Sequence, residues 1–294
     1  MWPRRSAALR PDACIKCAWQ KGNLRKSFDP AGRFLYNQHT MLETAIEAAS
    51  EAAKLLRRNF GSALNVNQAT HHDIKLEIDV QTQQLIARII LAEYPDHSIL
   101  GEESSAGNPQ SDVRWVVDPL DGTVNYFYGI PHYAVSIAAQ ERRNADQWET
   151  VVGVVLDPEL DELFVTEEGN PSMLHGRPIH VSNRTDLAEA IVTIGFFKNH
   201  DAISRGLQEF NRMIYKVRKL RLMGAAALDT VYVACGRYDA YIEHSIRLWD
   251  IAAGQLILEN AGGRVESKPA AEVHSFDVRM WNGKIPLDEL YKPM

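Results

Sequence analysis

The sequence predicts an α+β fold with two differently built halves, and three observations support this. A capped amphipathic helix opens the body of the chain, strands joined by turn residues follow, and helices then alternate with strands. On that pattern residues 41–185 form an N-terminal half with an antiparallel sheet. Residues 186–294 form an α/β half packed on it.

Thr40-Met41-Leu42-Glu43 reads as a reciprocal helix cap, with Thr at the cap and Glu three residues on. Leu42, Ile46, Ala49, Ala53 and Leu56 then recur at helical spacing until Gly61. From His71-His72-Asp73 to Asp79, apolar and charged residues alternate, which predicts an extended segment. Asp79 stands before a second helical pattern (Leu85, Ile86, Ile89, Ile90) that stops at Tyr94-Pro95, so its plain reading is an N-cap. Ser98–Leu100 predicts a short strand running into Gly101-Glu102-Glu103-Ser104. Strands follow at Tyr133–Ala139, Val151–Leu156 and Leu163–Thr166, with turn signals at Asp157-Pro158 and Gly169-Asn170-Pro171. Ile191–Ile194 opens the second half. A helix over Ala225–Ala234, a strand over Tyr238–Glu243 and a helix over Ile251–Asn260 continue it. Asp250 precedes that last helix as Asp79 precedes the earlier one.

Composition excludes several classes of function. The 294 residues are 45% hydrophobic and 24% charged, an ordinary globular balance. No apolar run reaches the roughly 18 residues that span a bilayer. Cys14, Cys17 and Cys235 make no disulfide framework, and Cys14-Ile15-Lys16-Cys17 lacks the second ligand pair of a zinc site. Residues 1–40 carry eight Lys/Arg and two Asp, a net +6, which leaves −12 for the rest of the overall −6. The basic leader has no secretory core and reads as a transit peptide or as a disordered tail added by an upstream start. An acidic body argues against a nucleic-acid groove. Cytoplasmic location, with no membrane or nucleic-acid partner, is the expectation.

The chemistry centres on Trp115–Tyr133. A buried-strand run, Trp115-Val116-Val117, ends in Asp118, and Asp121-Gly122-Thr123 follow. Desolvating two carboxylates so close together is costly without a counter-charge, and a hard divalent cation supplies one. Gly122-Thr123 reads as a turn into a helix, with backbone N–H groups available to an anion. Glu102, Asp118, Asp121 and Asp250 all fall where predicted strands end or helices begin. Each has a plain structural reading as a turn residue, a cap or a solvated acid; together they make a carboxylate site for several metals.

The segments Gly101–Ser104, Trp115–Tyr126 and Leu248–Gly254 resemble, in order and spacing, the inositol monophosphatase family of Mg²⁺-dependent phosphatases. The likeness continues through Gly153–Phe164, His175–Ser182 and Ala261–Gly263. It implies a layered α-β-α-β-α sandwich and two or three Mg²⁺ ions. It also implies a homodimer, lithium sensitivity and in-line attack on a phosphomonoester by a metal-activated water. The implied metal ligands are Glu102, Asp118, the Leu120 carbonyl, Asp121 and Asp250. Glu102, Thr123 and Asp79 would serve the attacking water. Gly122, Thr123, Gly224, Ala225, Ala226 and Glu243 would bind the substrate, a small phosphorylated polyol or sugar with inositol 1-phosphate foremost.

Several positions depart from the family pattern and bear on substrate choice. Gln68 stands where many relatives have lysine, with Lys75 a replacement charge. His175-Gly176 replaces Asn-Gly, and Phe196-Phe197 fall in a pocket-shaping region. Histidinol phosphate, fructose 1,6-bisphosphate and 3′-phosphoadenosine 5′-phosphate are the alternative substrates, and a catalytically silent binding protein is the alternative class. Leu120–Thr123 also resembles the end of the Asp-x-Asp-Gly-Thr motif of haloacid dehalogenase-type phosphatases, but Pro119 occupies the nucleophile's position and rejects that reading.

Overall fold

A computed structural model describes residues 40–62, 66–69, 74–145, 147–196 and 200–291. The basic leader with its Cys pair, His71-His72-Asp73 and Phe197 lie outside the described residues, as do the side chains of Gln68 and Lys75.

The first helix, α1 (Met41–Asn59), starts at the predicted cap. Glu43 N–H donates to Thr40 Oγ1 at 3.2 Å, and Thr40 N–H donates to Glu43 Oε2 at 2.9 Å. Two short antiparallel strands, β1 (Val66–Ala69) and β2 (Ile74–Leu76), lead into α2 (Glu77–Glu93). Leu42, Ala49, Ala53 and Leu56 of α1, with Ile86 and Ile90 of α2, are buried against one face of a large sheet.

That sheet holds β3 (Ser98–Gly101), β4 (Ser105–Gly107), β5 (Val113–Asp121), β6 (Ala134–Asn144), β7 (Gln147–Asp157), β8 (Glu162–Glu167), β9 (Met173–Leu174) and β10 (Arg177–Pro178). Its order is β10-β9-β8-β7-β6-β5-β3-β4, antiparallel except for the β3–β5 pair. A five-residue helix, α3 (Thr123–Phe127), follows β5.

The second sheet, in the order β12-β11-β13-β15-β14, contains β11 (Ile191–Ile194), β12 (Lys219–Arg221), β13 (Ala240–Arg247), β14 (Arg264–Pro269) and β15 (Ser275–Trp281). Its β11 pairs are parallel and its β15 pairs antiparallel. Helices α5 (Ala226–Ala234) and α6 (Leu248–Asn260) fill the space between the sheets. Val116, Ala138 and Phe164 meet them from one side, and Tyr241, Val278 and Met280 from the other. Helix α4 (His200–Met213) and the C-terminal turn cover the outer face of the second sheet through Met213, Val192, Ile242 and Leu290. The result is the helix–sheet–helix–sheet–helix order expected. Among the described residues, no helix is long and apolar enough to cross a membrane.

Two helix starts differ from the sequence expectation. Asp79 and Asp250 are not N-caps; each is the third residue of its helix. Each carboxylate turns back to accept the N–H three residues earlier, Leu76 at 2.8 Å and Arg247 at 3.1 Å. One more N–H of the first turn is thereby satisfied, and the carboxylate stays at the positive helix end.

Candidate metal centre

A break in β5 brings the central acids together. In a regular strand, residues three apart face opposite sides. Asp118 pairs with Ser136 and Asp121 with Ala134, so three steps on β5 oppose two on β6. Pro119 cannot donate to the ladder, and the extra residue forms a bulge there. Asp118 and Asp121 consequently share a side. The turn is tied by Leu120 N–H, which donates to Asp118 Oδ1 at 2.9 Å, and by Thr123 Oγ1, which donates to the Leu120 carbonyl at 3.0 Å.

Both helices of the middle layer point their N-termini at these acids. Asp121 accepts the N–H groups of Ala226 at 3.2 Å and Ala227 at 2.8 Å, at the start of α5. Asp250 projects from the first turn of α6, which Ser136 anchors by donating to the Trp249 carbonyl at 3.2 Å. Carboxylate oxygens of Asp118, Asp121 and Asp250 all lie within 4.8 Å of one another. Burial and then the charges of Glu102 and Asp250 push the Asp118 carboxyl well above its usual range; burial and then Asp250 do the same for Asp121. Such a cluster holds its full negative charge only around a cation, and its all-oxygen donor set suits a hard one. The three acids could hold a metal.

Glu102 stands beside Asp118 but outside that group of three. Its turn is fixed by its own N–H donating to the Val117 carbonyl at 3.1 Å and by Gln83, a residue the sequence reading missed. Gln83 accepts Glu103 N–H and donates to the Ser104 carbonyl, both at 2.9 Å. It also fills the space where a Cβ on Gly101 would lie. Asp79 is buried at the start of α2, close enough for its charge to act on Tyr126, which follows Thr123 on α3.

Gly122 takes φ +92°, a left-handed conformation that favours glycine. Asn125, a second residue missed, donates to the carbonyls of His132 and Met223, both at 2.8 Å, and so ties α3 to the Gly224-Ala225 approach to α5. Ala226, which the resemblance places in the substrate loop, donates its N–H to Asp121. Glu243 lies on β13, buried, with the Tyr241 hydroxyl donating to Oε2 at 2.6 Å. Gly195 makes room for it: a Cβ there would sit 1.7 Å from Glu243 Oε2. Asn125 falls inside the Trp115–Tyr126 motif, the one signal that could have found it. Gln83, Tyr241 and Gly195 carry no local signal.

The fold is thus a layered α+β sandwich with clustered carboxylates at two helix N-termini between its sheets. Residues 37–281 match the model of the inositol monophosphatase family, and the chain belongs to that family. It is 39% identical over 229 residues to Nus factor SuhB of Pasteurella multocida, covering 76% of this chain and 84% of that protein. Among solved structures it resembles the extragenic suppressor protein suhB of Bartonella henselae, with TM-score 0.74 and 32% identity over 81% of this chain and 92% of that one. It also resembles the inositol monophosphatase of Anabaena, with TM-score 0.71 and 32% identity over 85% and 92%. The first name states no enzymatic activity, and it gives the expected absence of a nucleic-acid partner no support.

Proposed function

We propose that this chain is a Mg²⁺-dependent phosphomonoesterase for small phosphorylated polyols or sugars, with inositol 1-phosphate as leading substrate. Its chief support is the approach of Asp118, Asp121 and Asp250 to within 4.8 Å at two helix N-termini. Those acids, with Glu102 and the Leu120 carbonyl, would hold two or three Mg²⁺ ions. Bound Mg²⁺ supplies positive charge to phosphoryl oxygens and acidity to water. The chain's own residues do the positioning. Backbone N–H groups of Gly122 and Thr123 bind the phosphate. The Thr123 hydroxyl, with Glu102 beside it and Asp79 behind, orients the attacking water. Glu243 and the Gly224-Ala225-Ala226 loop receive the polyol hydroxyls. Phosphoryl transfer depends mainly on such positioning and charge, and in-line attack needs no covalent intermediate. A homodimer and inhibition by Li⁺ belong to the same proposal.

A second reading follows from the relatives named Nus factor: a binding protein in which the carboxylate site is retained without turnover. Phosphate release, with and without Mg²⁺, from inositol 1-phosphate, histidinol phosphate, fructose 1,6-bisphosphate and 3′-phosphoadenosine 5′-phosphate separates the two. Mg²⁺-dependent release from one of them is expected; none from any would favour the binding protein.

A further inference from the structure

A second break in a strand lies beside Glu243. On β13, Glu243 pairs with Val278 and Ile246 with Phe276, so His244-Ser245 contain one residue more than β15 opposes. Ser245 takes φ +62°, a left-handed conformation unusual for a residue with a side chain. Glu243 faces the middle layer beside Tyr241, and its neighbour His244 faces the other way, toward α4.

Four charged or titratable side chains close over this bulge. His244 Nε2 lies 3.1 Å from Glu209 Oε2 on α4, and His244 Nδ1 lies 3.4 Å from Asp277 Oδ2 on β15. Asp277 also accepts the Ser245 N–H at 3.0 Å and pairs closely with Arg205 of α4. Arg205 is held in turn by Asp201 at 2.9 Å, and its Nη1 sits 3.2 Å from His244 Nδ1. Charged, the imidazole pairs as an ion with Glu209 on one side and Asp277 on the other, and bridges two elements. Neutral with its proton on Nε2, it offers Nδ1 as an acceptor to Arg205 and loses the ionic attraction of both carboxylates.

We propose that His244 is a positioning residue for the substrate-hydroxyl subsite: its charged ring clamps α4 and β15 onto the bulge that aims Glu243, and losing the charge loosens that subsite. The proposal rests on the role given above to Glu243. The groups facing the ring are Arg205 and Glu209 from α4 and Asp277 from β15. Pairing with Glu209 outweighs burial and the repulsion of Arg205, and raises the ring's proton affinity above the ordinary histidine value. The clamp is therefore complete below about pH 6.5 and is lost as pH rises through the raised folded value.

The test uses full-length protein with Mg²⁺ at about pH 6 and about pH 8.5. It compares the wild type with His244→Gln, neutral throughout, and Glu209→Gln, which keeps the ring and removes its partner. Hydrogen exchange over 200–213 and 243–247, corrected for intrinsic rates, is read beside kcat and KM for inositol 1-phosphate. In wild type, protection should fall and KM rise about fivefold with pH, the range governed by a partly exposed ion pair. His244→Gln should show the alkaline behaviour at both values with kcat close to wild type, and Glu209→Gln should move the change to lower pH. Taking the ratio to the variant cancels the substrate's own ionisation. If His244→Gln matches wild type in exchange and KM, or changes exchange while KM stays fixed, the positioning role is overturned. Should His244→Gln fail to fold, Glu209→Gln alone decides by whether the midpoint moves. Absence of wild-type turnover of all four substrates named above, together with the expected exchange pattern, would sink the phosphatase reading and support the clamp.

Discussion

Asp118 and Gly195 act on the site in opposite ways, one by its charge and one by its lack of a side chain. Asp118→Asn removes a carboxylate from the group of three while keeping its shape, and the Leu120 N–H retains an acceptor. Turnover should fall by about a thousandfold or more with the fold intact, checked by phosphate release beside a melting curve. At Gly195 an added methyl would strike Glu243, so Gly195→Ala should raise KM by about tenfold and leave kcat nearly unchanged. An equal loss in both constants would mean that Glu243 contributes to the reacting centre instead. Chain order points to Asp118 through its motif, whereas nothing near Gly195 announces that a carboxylate from β13 rests on it.

Whole elements were legible where local rules decide them. The cap of α1 is reciprocal, as Thr40 and Glu43 predict, and Thr40→Ala should lower stability by about 1 kcal/mol, read as a shift in thermal midpoint without loss of activity. The run Ile191–Ile194, read as the opening of the second half, is strand β11. Helix α4 was not anticipated, because it is poor in apolar residues, burying only Ala202, Gly206 and Met213 and leaving Leu207 half exposed. The starts of α2 and α6 were placed too late, because an Asp reaching back from the third position leaves the same local mark as one standing at the cap. The bulges in β5 and β13 lay beyond local rules as well. Pro119 hints at the first, but only the β6 register shows that Asp118 and Asp121 share a side.

Across the molecule, cohesion depends on polar ties between distant segments as well as on apolar packing. Asp239, fully buried, accepts both Arg184 Nε contacts at 2.8 Å and the Ile191 N–H at 2.8 Å, and pairs with Ser182. Asn282 joins the same knot from the end of β15 by donating to Ser182. Asp239→Ala leaves Arg184 and the Ile191 N–H without that acceptor. It should cost about 3 kcal/mol, the low end for breaking a buried pair because Arg184 is one-third exposed. A denaturation midpoint within error of wild type would contradict this. Metal linkage is also a property of the whole fold. Burial and mutual repulsion raise the proton affinity of Asp118 and Asp121, so protons compete with a cation at low pH. Added Mg²⁺ should therefore raise the melting temperature more at about pH 8 than at about pH 5, and calorimetry should show proton release on binding. Sequence alone determined the family, the α+β class and the identity of the central acids, because caps, short apolar runs and motif spacing are local. Tertiary structure alone decided which acids meet: the register of β5 on β6 and the direction of two helices set distances between residues more than a hundred positions apart.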